Sequence, residues 1–203
     1  MKKTLPGLGC PSHVNQLENI MNDTLIYSLS LMLFGIAAIY AGYWIWNITP
    51  ANLLRREKLA RNVLWGMVFA VADLLWCIPH AKPLLPGALH VYLLPTAAVC
   101  AVLAYCYLDY LFARAIGGFF ILLSYYFLHE SFTLHTPAAP VLAVFCFAMG
   151  IVGIFFSGKP HLLRDFIRNA ARQRHFRILK ALLAAGFGGL SLVLGILQLC
   201  GRG

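Results

Sequence analysis

The stretch LIYSLSLMLFGIAAIYAGYWIW at residues 25–46 contains no charged side chain. A helix needs about 20 predominantly apolar residues to cross the hydrocarbon core of a bilayer, so this stretch predicts a transmembrane helix. Asn47 and Pro50 close it. Further predominantly apolar runs lie at residues 63–78, 88–108, 111–128, 138–157 and 179–200. The sequence therefore predicts an all-α integral membrane protein, a bundle of about six transmembrane helices.

The composition agrees with this prediction. Of the 203 residues, 61% are hydrophobic and 11% are charged, whereas a soluble domain has about 45–50% apolar and about 25% charged residues. So few charged side chains cannot cover the surface of a soluble fold of this size. The sequence contains no GxGxxG, Walker, HExxH or GxSxG motif, so it points to no catalytic residue and to none of the common soluble chemistries.

The basic residues predict the orientation. Twelve of the 16 Lys and Arg residues lie in the loops after the first, third and fifth runs, and four lie on the other side. Cytoplasmic loops retain Lys and Arg, so both termini are expected outside, in a bacterial inner membrane. Residues 1–24 are expected to form a flexible outer extension, with Met21 as a possible true start. Residues 25–203 then form a single six-helix transmembrane domain.

Seven basic residues lie between Lys159 and Lys180, beside apolar runs, which favours a membrane surface over nucleic acid as the partner. Apolar residues from Leu162 to Ala170 recur at helical spacing. This pattern predicts a basic amphipathic cytoplasmic helix between spans five and six that binds the anionic leaflet. The alternative is a helix that only anchors the topology. The candidate lipid-binding residues are Arg164, Arg168, Arg172, Arg174, Arg177 and Lys180.

Asp73 is the only acidic residue within the second run. A carboxylate at this depth costs at least about 2.5 to 3.5 kcal/mol on insertion scales, so it should face other helices or a water-filled cavity. Asp73 is therefore the buried ionisable candidate for an ion or proton relay. The alternative is a hydrogen-bonded Asp that only fixes helix packing.

Histidines cluster on the predicted outer side. Together with Asp73, four histidines and one glutamate at similar depth could bind a transition metal, or ligate a haem through two of the histidines, or sense pH. The simpler explanation is that an imidazole at the membrane interface keeps its polar edge in water. Our first expectation is therefore that the protein binds no cofactor. The candidates are His80, His90, His129, Glu130 and His135, with His90 and His129 as the pair for haem.

Asp109 and Arg114 flank the turn before span four and could form an ion pair at the interface. Small residues at four-residue intervals predict close helix contacts, within one bundle or in an oligomer. They are Ala113 and Gly117 with Gly118 in span four, and Ala181, Ala185 and Gly189 in span six.

Three functions follow from these features. The first is a non-enzymatic membrane protein that moves a small solute or ion, or serves as the membrane subunit of a larger assembly. The second is a scaffold that binds anionic lipid through the basic helix. The third is a membrane redox or metal protein that uses the outer histidines. The sequence favours the first.

Overall fold

A computed structural model describes residues 11–60, 62–108, 110–134, 136 and 139–200, and these form helices and no strand. Short 3₁₀ turns lie at Pro50–Asn52, Lys82–Leu84 and Gly87–Leu89. The α-helices are α1 (Pro11–Trp46), α2 (Leu53–Ala60), α3 (Val63–Ala81), α4 (His90–Tyr107), α5 (Leu111–Thr133), α6 (Ala139–Gly158), α7 (His161–Arg172) and α8 (Arg174–Cys200).

Six of these helices are long and apolar enough to cross a membrane: α1 from Met21 onward, α3, α4 with the turn before it, α5, α6 and α8. They coincide with the six predicted runs to within a few residues at most ends. The largest difference is at the first helix, which begins at Pro11. The part of the expected N-terminal extension from residue 11 onward is therefore a continuation of α1, and residues 1–10 lie outside the described part of the chain.

Helices α1 and α8 pack antiparallel through small residues spaced by seven. Ser28, Gly35 and Gly42 on α1 face Gly195, Gly188 and Ala181 on α8. A Cβ atom placed at Gly188 would lie 2.6 Å from the carbonyl oxygen of Gly35, so the backbones touch. Gly189, which the four-residue pattern had selected, has no atom from another element within 4 Å of such a Cβ. Within this chain the close contact on α8 is therefore at Gly188 rather than at Gly189.

Helices α5 and α6 form a second antiparallel pair with the same spacing. A Cβ atom at Gly117 would lie 2.6 Å from the carbonyl oxygen of Gly153. Seven residues farther along α5, the Ser124 hydroxyl donates a 2.8 Å hydrogen bond to the carbonyl oxygen of Cys146. The predicted close contact at Gly117 is thus present, and its partner is α6.

Helix α3 packs parallel to α5. A Cβ atom at Gly66 would lie 2.6 Å from the backbone nitrogen of Phe112, and the ring of Phe69 meets the rings of Phe112 and Phe119 edge-on. Helix α4 packs mainly on α3. Successive contacts between α3 and α5 are again seven residues apart, which is typical of helices that cross at a shallow angle.

The two pairs meet in a central core. Tyr27 and Leu31 from α1 contact Leu123 and Phe127 from α5, with Leu142 and Cys146 from α6 completing this cluster. Phe127 is fully buried and lies edge-on to both Tyr27 and Phe34. Outside this core, most large apolar side chains of the long helices are exposed.

One end of the bundle, which we call the basic end, holds α2, α7, the end of α1, the start of α8 and the turn before α5. In that turn Tyr110 adopts a left-handed conformation, with φ of 56°. The opposite end, the histidine end, holds the end of α3 and the end of α5, where His80 and His129 lie. The loops after the first, third and fifth long helices thus lie at the basic end.

Candidate functional site

The site is built on α3, which begins where the Asn62 side chain accepts a 3.0 Å hydrogen bond from the backbone nitrogen of Leu64. This N-cap fixes the start of the helix. Near the middle of α3, Asp73 points towards α5 at a glycine. A Cβ atom at Gly118 would lie 3.0 Å from Oδ2 of Asp73. The absence of a side chain at Gly118 is what makes room for the carboxylate.

One oxygen of the Asp73 carboxylate stands without a hydrogen-bond donor in the part of the chain that the structure describes. This oxygen, Oδ1, is buried. A buried carboxylate oxygen without a donor is costly, and such groups in native proteins call for an explanation such as a bound ion, a water or a proton. The structure therefore agrees with the prediction that Asp73 faces a neighbouring helix.

Ionisable side chains continue from Asp73 along the same side of α3 to the histidine end. Cys77 and His80 follow at steps of four and seven residues, which places them on one helix face. The ring of His80 lies edge-on to Tyr125, with ring centres 5.5 Å apart. Tyr125 in turn stacks on His129 at 5.8 Å. Two of the predicted histidines are thus brought together, with a tyrosine between them.

The sequence reasoning did not select Tyr125. The signal for it was present, because Asp73 and His80 are separated by seven residues and so are Gly118 and Tyr125. Two parallel helices that share this step bring both pairs into register. Selecting Tyr125 from the sequence requires knowing that α3 packs on α5, which the order of the helices does not reveal.

The other candidates of this group take different places. The Nε2 atom of His90 lies 2.9 Å from the carbonyl oxygen of Lys82 and 3.1 Å from that of Leu85, so His90 holds the loop between α3 and α4. Glu130 is half-buried near the end of α5, and His135 lies outside the described residues. Within the described ranges, no three His, Cys, Asp or Glu side chains lie close enough to hold a metal ion.

At the basic end, two of the predicted lipid-binding residues make contacts within the protein. Arg177 donates a 2.7 Å hydrogen bond to the carbonyl oxygen of Ile48, just beyond α1. Lys180 donates to the carbonyl oxygen of Phe166 at 3.0 Å, and its ammonium lies 3.9 Å from the centre of the Phe166 ring. Both side chains join α8 to neighbouring helices.

The apolar face of α7 is also used internally. Ile167, Ala170 and Ala171 are buried against Ile45, Ile48 and Ala181. This face belongs to the helix that the sequence predicted to bind the anionic leaflet, a prediction that did not say what the apolar face contacts. The end of α1 and the start of α8 lie at the same end of the bundle and cover it, and the charged face of α7 is left outward.

Arg164, Arg168 and Arg172 lie on that outward face of α7, and Arg174 is the first residue of α8. Arg168 donates through Nε to Oε1 of Glu57 on α2, at 2.5 Å, and its Nη2 lies 3.5 Å from Oε2. This hydrogen bond raises the pKa of the Arg168 guanidinium, so Arg168 stays charged. Arg172 and Arg174 are exposed, and Arg164 is half-buried.

Of the predicted pair at the turn before α5, Asp109 lies outside the described residues. The Nε atom of Arg114 is buried and has no hydrogen-bond partner among the described residues. The structure therefore leaves this ion pair as a prediction.

Comparison with protein-family models, with curated proteins and with solved structures finds no match for this chain. The geometry of its own residues is accordingly the basis for assigning a function.

Proposed function

We propose that this chain is a multi-pass membrane protein that moves protons, alone or with a small solute, and that Asp73 takes up and releases the proton. The observation that carries the proposal is the buried Oδ1 of Asp73 beside Gly118, which has no hydrogen-bond partner within the described ranges. A carboxyl group with no fixed donor or cation can pass between its charged and neutral forms without breaking an ion pair. Intramembrane acids of this kind mark ion pathways and proton relays.

The exposed apolar surface of the long helices supports the membrane part of the proposal. Large side chains such as Leu33 on α1, Val91 on α4 and Phe147 on α6 are 65 to 78% exposed. Soluble monomers rarely expose contiguous apolar surface on this scale. Lipid chains would cover these side chains at no cost in free energy.

The histidine end offers access to Asp73. His80 is seven residues from Asp73, about 10 Å along a helix that rises about 1.5 Å per residue. Imidazole groups exchange protons near neutral pH, which suits a relay between bulk water and a buried acid. In this proposal His129 and His80 collect protons at the histidine end, and water between α3 and α5 carries them to Asp73.

The direction follows from the charge distribution. The basic end carries most of the Lys and Arg residues, so the positive-inside rule places it in the cytoplasm. The histidine end then faces outwards, with both chain termini, in a bacterial inner membrane. Protons would enter the route from the outside.

The test is proton flux into liposomes that contain the purified protein and a pH-sensitive dye, driven by a potassium diffusion potential. We expect Asp73→Asn to reduce the flux to that of empty liposomes, because the amide cannot release a proton. The matched control is Asp165→Asn, since Asp165 is an exposed acid on α7, outside the spans. Its flux should equal that of the wild type.

A second variant keeps the test from depending on one substitution. Gly118→Ala places a methyl group 3.0 Å from Oδ2 of Asp73, so the carboxylate must shift, and we expect reduced but measurable flux. Size-exclusion chromatography checks that each variant is folded. Wild-type flux no higher than that of empty liposomes, or full flux through folded Asp73→Asn, would overturn the proposal.

A further inference from the structure

We propose that a depression at the basic end, between α2 and α7, binds the phosphate of an anionic phospholipid. Leu53, Arg168 and Arg172 line this depression, whose volume is about 270 Å³. The group that the depression binds is a phosphate with a net negative charge. This site is separate from Asp73, and it stands or falls independently of proton transfer.

The first argument is the position of the two guanidinium groups. Arg168 and Arg172 are four residues apart on α7, so they lie one turn apart on the same face. Glu57 occupies the Nε and Nη2 side of Arg168, which holds this long side chain in place. An arginine has five N–H donors, and the remaining ones are available to a ligand.

The second argument is the charge balance. The Glu57 carboxylate neutralises one guanidinium, and among the described residues Arg172 forms no ion pair. Asp165 also interacts electrostatically with Arg168, so the positive charge that the depression offers to a ligand is that of Arg172. Guanidinium groups bind phosphate oxygens through paired, charge-assisted hydrogen bonds, which makes a phosphate the natural ligand for such a pair.

The third argument distinguishes a lipid from a free phosphate. Helix α7 connects α6 and α8, both long and apolar enough to cross a membrane, so it lies at the depth of the lipid head groups. Its apolar residues Ile167 and Ala170 are already buried within the protein, and its charged face remains for the bilayer. Leu53 supplies an apolar wall that suits the glycerol end of a lipid.

The experiment measures lipid binding to the full-length protein in neutral detergent, by native mass spectrometry. Phosphatidylglycerol is compared with phosphatidylcholine, and inorganic phosphate is added as a competitor. The test variant is Arg172→Gln. The matched control is Arg174→Gln, which removes the same charge from an exposed arginine two residues away that does not line the depression.

We expect the wild type to prefer phosphatidylglycerol. A hydrogen bond to a charged group contributes about 1.5 to 3 kcal/mol, so Arg172→Gln should weaken binding about 10- to 100-fold. Arg174→Gln should change it less than threefold, and Arg172→Lys should lie between the two, since Lys keeps the charge and loses the paired donors.

Each other outcome decides the question. If Arg172→Gln and Arg174→Gln lose equal amounts of lipid affinity, the lipid is attracted by the overall positive charge and the proposed site is overturned. Equal binding of the two lipids would also overturn it. If millimolar inorganic phosphate displaces the lipid and itself requires Arg172, the phosphate site stands and free phosphate is its ligand.

Discussion

At the scale of single residues, two serine hydroxyls in this bundle differ in the helix to which they bond. Ser124 is buried, and its hydroxyl bonds across to α6 rather than to its own helix. Ser30 has the same chemistry in a different place, since its hydroxyl donates to the carbonyl oxygen of Tyr27 within α1. Comparing Ser124 with Ser30 therefore distinguishes a hydrogen bond between two helices from one within a single helix.

We therefore expect Ser124→Ala to lower the free energy of unfolding in detergent by about 0.6 kcal/mol and at most about 1.7 kcal/mol, the range measured for hydrogen bonds between membrane helices. Ser30→Ala should change it by less, because the helix keeps its backbone bonds. Denaturant titration followed by circular dichroism measures both. An unchanged free energy of unfolding in Ser124→Ala would show that the α5–α6 hydrogen bond contributes nothing.

Asp73 shows what could be predicted at this scale. An acid in an apolar run is recognisable in the sequence because its insertion cost is large. The glycine opposite it could not be assigned, since Gly118 appeared only as a small residue suited to helix contact. Its role depends on which helix lies beside α3.

At the scale of elements, the helix pairs depend on small residues at seven-residue steps. Glycine at these positions lets two backbones come close enough for van der Waals contact, which is a main source of helix association in lipid. Gly188 and Gly189 are adjacent on α8, yet only Gly188 meets α1. They offer a matched pair for measuring the effect of close approach.

We expect Gly188→Ala to destabilise the bundle by about 1 to 3 kcal/mol, because the new methyl group meets the backbone of Gly35 and Ile39 and neither can move alone. Gly189→Ala should be neutral or stabilise α8 by up to about 1 kcal/mol, since alanine favours helix over glycine. Thermal unfolding in detergent measures both. Equal effects of the two substitutions would contradict the observed register of α1 on α8.

At the scale of the whole molecule, α2 and α7 come from loops more than one hundred residues apart and meet at the basic end through Glu57 and Arg168. In the described part of the chain, the loops that contain these two helices therefore lie at the same end of the bundle. Such an end suits the anionic leaflet of a bilayer.

We expect Lys58→Cys and Lys82→Cys, each in a cysteine-free background, to differ in their reaction with a membrane-impermeant maleimide. Lys58 is exposed on α2 at the basic end, and Lys82 is exposed in the turn after α3 at the other end. On intact cells only the thiol at position 82 should be labelled, and the thiol at position 58 only after permeabilisation. The reverse pattern would invert the proposed topology and place the histidine end inside.

The sequence by itself determined the number and position of the long apolar helices, because the required length of an apolar run and the cost of charge within it are local properties of the chain. It also located Asp73 and the basic segment. Only the tertiary structure decided which helices pair, because small residues occur at several spacings and only contact selects one. For the same reason it alone placed Gly118 beside Asp73, Tyr125 between His80 and His129, and Arg177 and Lys180 in internal contacts.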